Sequence, residues 1–317
     1  MAAVSGLGTT SNLPNFVGEL FRLVPQDTPF KNLAAANGIR RVLSKQFTWQ
    51  TTDNATAAQP NGLLEGADPT YAERDRAEVS NVVQIFQYGV QIAYSKLGNV
   101  QMLGSGGDTV ATPAVSVLGN QPVANEIELQ QSLKLDRCAE DMEVSMLSGT
   151  FQNPNDNVTG RKMRGIQTAI TTNVVAAGST DLSQDLIDEL LRTMYGNRAR
   201  FIRPVLMGPA LQIQRVNAAY KFDPMSRTVG GVNLRTIVTP FGELGVVINR
   251  HMTSSTVAVF DFAFIKPVVM PIPGKGELFI EPLAQTGSAL NSQLYGEWGL
   301  EYGPELFHGE ITGLTTT

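Results

Sequence analysis

Lys45-Gln46-Phe47-Thr48-Trp49-Gln50-Thr51-Thr52-Asp53 sets Phe47, Trp49 and Thr51 against Gln46, Thr48 and Gln50. That two-residue period belongs to a strand with one buried face. The same period returns in Phe86-Gln87-Tyr88-Gly89-Val90-Gln91-Ile92-Ala93-Tyr94-Ser95. Between the two stretches the chain is polar, is punctuated by Pro60, Gly62, Gly66 and Pro69, and shows no clear periodicity before Asn81. A compact domain rarely carries more than about 15 residues of loop without structure. The two strands are therefore expected to form a long hairpin whose tip leaves the body and is ordered by a partner.

Upstream, Asn15 to Leu23 is a short helical candidate with Phe16, Leu20, Phe21 and Leu23 on one stripe, followed by turn signals at Pro25 and Pro29. It is too short to fold alone and reads as an arm that packs on something else. Downstream, Gly104 to Gln121 reads as a Gly/Ser/Thr-rich loop and Val123 to Ser148 as a long helix. Leu135, Cys138, Ala139, Met142 and Met146 share the helix's apolar face, which leaves Asp136, Glu140 and Glu143 expected on a solvated one. Residues 181–317 read as mixed α/β. Ser183 caps a helix carrying Leu186, Ile187, Leu190, Leu191 and Met194, and Gly196 and Asn197 stop it. Strands follow around Pro204–Met207, Asn233–Val238, Leu244–Ile248, Thr256–Phe262, Glu277–Leu283 and Ser292–Tyr302, with a short helix at Ala210–Ala218.

Composition narrows the function. Hydrophobic residues make up 42% of the 317, enough for a core, while charged residues reach only 17% against the roughly 25% of an ordinary domain. Few charges suit a chain that hides surface against other chains. The net charge of −5 argues against a sequence-reading nucleic-acid binder. It is unevenly spread: residues 181–274 hold ten Lys and Arg against seven Asp and Glu, and residues 275–317 hold one against six. Between copies, a basic face could then meet an acidic edge. One cysteine, Cys138, rules out an intrachain disulfide, and with two histidines it cannot build a Cys-rich zinc site. No basic-then-apolar leader and no apolar run of about 18 residues is present, so no membrane partner is expected.

Motifs of catalysis are lacking. There is no G-x-S-x-G, H-E-x-x-H or phosphate loop, and His308-Gly309-Glu310 lacks the P-C-x-x-C half that a zinc deaminase needs. His251, Ser254, Ser255 and Asp261 contain the residue types of a triad but read as a polar turn between strands. Arg161, Lys162 and Arg164 read as solvated charges in a loop, with phosphate contact as the sharper alternative. Cys138 reads as a buried, inert thiol. No catalytic residue, cofactor or metal is expected. An arm, a protruding hairpin and a long helix without a site suit a chain built to contact copies of itself.

The order of these elements resembles a tailed-bacteriophage major capsid protein with the Hong Kong 97 fold, of the group seen in phages including those of actinobacteria. The motifs that carry the resemblance are Glu65-Gly66, Arg74, Arg76, Asn81, Gln84-Ile85-Phe86, Arg164-Gly165-Ile166, Thr239-Pro240-Phe241-Gly242, Asn249-Arg250-His251 and Asp261. The strongest is Gln285-Thr286-Gly287-Ser288 followed by Glu297-Trp298-Gly299-Leu300-Glu301-Tyr302. The resemblance implies an α+β fold in five parts. These are an N-terminal arm at 1–44 and an extended β-hairpin loop at 45–95. A peripheral domain at 96–180 has its spine helix at 123–148. An axial α/β domain occupies 181–274, and return strands at 275–317 complete the peripheral domain's long sheet.

The resemblance further implies self-assembly through hexamers and pentamers into an icosahedral head enclosing double-stranded DNA, contacted non-specifically. Portal and, where required, scaffold, protease or decoration proteins are the implied partners, with the chain made in the bacterial cytoplasm and ending in the virion. Intersubunit contacts are expected from Trp49, Glu65, Arg74, Arg76, Phe16 and Phe21. The sequence departs from relatives that lock their shells by a Lys–Asn isopeptide bond, since no lysine lies between Lys45 and Lys96. The alternatives are an encapsulin-like compartment with protein cargo and a soluble enzyme with an unrecognised site.

Overall fold

A computed structural model describes residues 27–52, 64–68, 73–96, 126–156, 158–220 and 223–317. The arm helix expected at Asn15–Leu23, with Phe16 and Phe21, the loop Gly104–Gln121 and the first three residues of the helix expected from Val123 lie outside the described residues. The chain divides into two compact units. The larger holds Asp27–Gln87, Cys138–Phe279 and Tyr295–Thr317, and the smaller holds the described residues of Tyr88–Arg137 together with Ile280–Leu294.

The larger unit is built on a seven-stranded sheet. Its strands are β5 (Val174–Ala176), β6 (Pro204–Gly208), β7 (Asp223–Val229), β8 (Val232–Thr239), β9 (Gly242–Ile248), β10 (Val257–Asp261) and β14 (Gly309–Thr312), in the order β5-β14-β10-β6-β9-β8-β7. Central strands β6 and β10 are buried almost throughout, which is why their sequences are runs of apolar residues rather than alternations. Helix α4 (Gln184–Gly196) packs on this sheet through Ile187, Leu190, Leu191 and Met194, which meet Leu206, Val257, Val259 and Ile311 in one core. The i, i+3, i+4, i+7 spacing explains the helix, and Ser183 caps it by accepting from the Leu186 amide at 3.4 Å. Helix α5 (Ala210–Ala219) follows β6 and leads to the hairpin β7–β8, after which β9 lies parallel to β6.

A second sheet has the order β1-β11-β13-β12, with β4 also paired to β13. Its strands are β1 (Arg40–Arg41), β4 (Gln84–Ala93), β11 (Lys266–Val269), β12 (Leu278–Pro282) and the 13-residue β13 (Ala289–Glu301). Of the segment 275–317, β12 and β13 join this sheet and β14 joins the other. A third element is a two-stranded ribbon of β2 (Gln46–Thr52) and β3 (Arg76–Val82), in register from Gln46↔Val82 to Thr52↔Arg76.

The hairpin is a correction to the sequence reading. The partner of β2 is β3, whereas the alternating stretch expected to pair with it, β4, lies on β13. The reason is burial. Strand β4 alternates because Phe86, Val90 and Ile92 are buried. Strand β3 is exposed from Arg76 to Glu78 and closes on buried Asn81 and Val82, so no apolar period marks it.

The long helix, α2 (Glu126–Ser148), corrects a second expectation. Cys138, Met142 and Met146 are buried as expected, but so are Glu140 and Glu143, while Leu135 is exposed. At Glu143 the face expected to be solvated is covered because α1 (Pro29–Ala35) arrives there with its N-terminus on that carboxylate.

After α2 the chain turns through Gly149 and Gly165 into the short helix α3 (Ile166–Ala169), and the Gly165 amide donates to the Gly149 carbonyl at 2.8 Å. A Cβ on Gly165 would stand 2.5 Å from the Gly149 nitrogen and 2.6 Å from the Leu147 carbonyl oxygen. Backbone atoms cannot swing aside as a side chain can. Gly165→Ala is expected to destabilise the chain by about 3 kcal/mol, the upper range for overpacking, read as a lowered urea midpoint with an unchanged slope.

In the smaller unit, Glu126 at the start of α2 takes Lys96 Nζ at 2.6 Å and Gln130 Nε2 at 2.9 Å. The Lys96 hydrogen bond holds its carboxyl below the usual range.

Candidate assembly surfaces

The β2–β3 ribbon is largely exposed away from Phe47, Asn81 and Val82. Seven residue pairs at ~3.4 Å give it a length of roughly 20–25 Å. At its middle pair, opposite Val79, Trp49 is half-buried. Its Nε1 donates to the Gly303 carbonyl at 3.1 Å, and its ring lies edge-on to Tyr302 with centroids 4.9 Å apart and stacks with Phe47 at 6.0 Å. Trp49 thus anchors the ribbon on its own chain. Arg76 stands exposed at the far end, with its Nη1 3.3 Å from Gln50 Oε1, and Arg74 is exposed just before it. Glu65 sits in a separate exposed turn closed by the Ala67 amide on the Leu64 carbonyl at 3.1 Å, and Leu64 beside it is 86% exposed. The ribbon therefore carries both Trp49 and Arg76 but keeps them apart, with Arg76 three residue pairs further along, at the exposed end.

Several motif residues turn out to be internal polar connectors. Asn81 is fully buried and makes four hydrogen bonds. Its Nδ2 donates to the carbonyls of Leu300 (2.8 Å) and Arg164 (3.1 Å), and its Oδ1 accepts from the amides of Val82 and Arg164, both at 2.9 Å. The ribbon, the 164 loop and β13 meet on that one side chain. Gln84 Oε1 accepts from the Met163 amide at 3.2 Å. Asp261 is buried and accepts from the amides of Ile202 (2.8 Å), Arg203 (2.9 Å) and Ala263 (3.0 Å). Its role is to hold a chain reversal, whereas His251 contacts the Asp27 carbonyl instead.

His308 is fully buried. Its Nδ1 accepts from the Asp261 amide at 3.1 Å, which leaves the proton on Nε2 to be donated to the Tyr302 carbonyl at 2.7 Å. Burial pushes its pKa down to about 4. A neutral imidazole fixed at both nitrogens serves the fold.

Of the basic run only Lys162 is exposed as expected. Arg161 pairs with Glu297 at 3.0 Å, where Tyr295 also donates its hydroxyl at 2.7 Å, and the Arg164 guanidinium lies 4.7 Å from the centroid of the Phe151 ring. Burial lifts the Cys138 thiol to about 11, so it is inert at neutral pH. Among the described residues, no group of three His, Cys, Asp or Glu is placed to hold a metal ion, and no helix is long and apolar enough to cross a membrane.

What the sequence reading missed is the apolar surface. Leu43 is 94% exposed and Tyr195 65%, and Ile202, Val238 and Ile248 are also exposed. Their neighbours in sequence are ordinary core residues, so only the structure separates them. Exposed apolar residues mark contact surfaces where they form a contiguous patch.

Comparison with known proteins fits this picture. The capsid asymmetric unit of cyanophage A-1(L) superposes with a TM-score of 0.65 at 10% identity, covering 98% of each chain. The capsid of Myoviridae phage XM1 gives 0.61 at 12% identity, covering 98% of this chain and 100% of that one. The holo-SrpI encapsulin complex of Synechococcus elongatus PCC 7942 gives 0.57 at 10% identity, with 94% and 93% covered. The fold is thus the Hong Kong 97 type of phage capsid proteins, an α+β fold of helices and sheets as the resemblance implied. The chain belongs to the SU10 major capsid protein family, whose model matches residues 3–315. No curated protein sequence matches it. The family is a structural one, and its members form shells from many copies.

Proposed function

We propose that this capsid protein assembles through hexamers and pentamers into an icosahedral tailed-phage head around double-stranded DNA. Residues 1–44 would act as arm, 45–95 as extended loop, 96–180 with 275–317 as peripheral domain, and 181–274 as axial domain. Portal and, where required, scaffold, protease or decoration proteins would be its other partners, and it would be made in the bacterial cytoplasm before entering the virion.

The observation that carries this reading is the ribbon. A two-stranded hairpin is marginal in water unless something covers it, and here the end formed by Thr52 and Arg76 is exposed. A neighbouring subunit supplies the cover. A subunit in a shell makes many such contacts, so each need only be weak.

The double variant Arg74→Glu/Arg76→Glu should remain folded by circular dichroism and lose shell formation, leaving free chains or capsomers on a sizing column. Normal particles in electron micrographs of that variant would contradict the role given to the ribbon. The encapsulin-like alternative, favoured only by the SrpI superposition, predicts purified particles containing protein cargo and no packaged DNA.

A further inference from the structure

Helix α4 carries a charge pattern that the fold does not use. Its core side is Ile187, Leu190, Leu191 and Met194. On the solvent side, Asp185, Glu189 and Arg192 follow at i, i+4 and i+7, one stripe along the helix. Past its end, the loop Asn197–Arg203 adds Arg198 and Arg200, both exposed. None of Asp185, Glu189, Arg192 and Arg200 closes an ion pair among the described residues. The acidic and basic ends lie ~10 Å apart from Asp185 to Arg192, at 1.5 Å per residue.

The basic end is also rigid. Three described non-glycine residues have left-handed backbone, and two of them, Arg198 (φ 68°) and Phe201 (φ 49°), are in this loop. Such conformations persist only where the surroundings hold them. Here the Ala199 amide donates to the Met194 carbonyl at 3.0 Å, Asn197 Nδ2 donates to Asn173 Oδ1 at 2.7 Å, and Phe201 packs on Phe241 with centroids 6.1 Å apart. Tyr195, 65% exposed, also packs on Phe241 with centroids 5.7 Å apart, and Ile202 is 57% exposed. The helix macrodipole favours one acid at its start and one base at its end. It gives no reason for two exposed apolar side chains held beside a strained basic loop.

We infer that α4 and the loop after it form a head-to-tail interface between copies of this chain. Arg192 and Arg200, with Tyr195 and Ile202 beside them, receive Asp185 and Glu189 of the next copy. A two-fold axis through the middle of this stripe would also set acid against base, but it stops at a pair, whereas the five- and six-fold rings of the shell reading need a contact that repeats head to tail. Displaced head to tail, every copy offers acid to one neighbour and base to the other, and such a contact closes into a ring. The inference rests on the shell reading and deepens it by assigning a contact between neighbours in a ring.

Three variants test it: Arg192→Glu/Arg200→Glu, Asp185→Lys/Glu189→Lys, and the fourfold exchange of all these positions. Assembly is followed by analytical ultracentrifugation and electron microscopy, and folding by circular dichroism. Each half-reversed variant should stay folded and lose at least tenfold in assembled fraction. The fourfold variant should assemble again, and an equal mixture of the two half-reversed chains should recover six-membered rings, in which the two can alternate. A purely helix-dipole role predicts the opposite ranking, with the fourfold variant worst. Half-reversed variants that assemble like the parent, or a folded fourfold variant and mixture that do not assemble, overturn the inference while leaving the shell reading intact. A parent chain that forms no rings or shells overturns both.

Discussion

Asn81→Ala will lower the stability of the folded chain by about 3–5 kcal/mol, since a buried polar group left without its partner costs about 1–3 kcal/mol and several are orphaned at once. The substitution strips partners from the amides of Val82 and Arg164 and from the carbonyls of Arg164 and Leu300. Asn81 is fully buried, so water cannot replace the lost groups without opening the site. Asn81→Asp should be nearly as damaging. It keeps the acceptor for the two amides but turns a carboxylate oxygen toward two carbonyls. Denaturant titration of the parent and both variants reads the effect directly. A loss under 1 kcal/mol for alanine would mean that the ribbon base and β13 are held together by other contacts. At growth temperature the alanine chain is expected in the insoluble fraction rather than in shells, because a loss of this size is a large part of a domain's total stability.

How far the sequence announces such features depends on whether the cause is local. Helix α4 is legible because cap, apolar stripe and stop all lie within Ser183–Asn197. Strands β2 and β4 are legible because each has one buried face for much of its length. Strand β3 is illegible because it is covered on neither side near Arg76, and the mispaired hairpin follows from that single silence. On α2, helical periodicity places Glu143 opposite the methionines, and nothing in those residues says that α1 and β9 close over the polar side. The candidate contacts divide in the same way. Glu65, Arg74 and Arg76 are exposed, as a contact with another copy requires, whereas Trp49 is held by its own chain through Gly303 and Tyr302. Asp185, Glu189, Arg192 and Arg200 drew no notice in the sequence, since exposed charges on a helix and loop are the ordinary case. Their lack of partners and the strained loop beside them appear only in three dimensions.

Glu143 should prove the most consequential acidic residue in the chain. Its Oε1 accepts from the Phe30 amide at 2.9 Å and from Asn249 Nδ2 at 2.7 Å, and its Oε2 accepts from the Lys31 amide at 2.7 Å. One carboxylate on α2 thereby fixes the start of α1 and the end of β9. Glu143→Ala leaves those three donors unpaired in a buried site and should cost about 3–5 kcal/mol, as breaking a buried polar network does. Burial is the largest influence on the carboxyl and raises its pKa, and the hydrogen bonds and nearby His251 only partly oppose it. The sign of the pH effect follows. With a folded pKa above the unfolded value of 4.5, the folded chain holds the proton more tightly. The contribution of this group to stability is then full below pH ~4.5 and is lost as pH rises through the folded pKa. Glu143→Gln mimics the protonated state and cannot titrate. Its deficit relative to the parent should therefore be largest in acid and shrink as pH rises. His308 is common to parent and variant, so its own pull toward instability in acid cancels in the difference. Stability curves for both chains from pH 4 to 8 decide the matter: a deficit that grows with pH would show that the donors around Glu143 outweigh its burial.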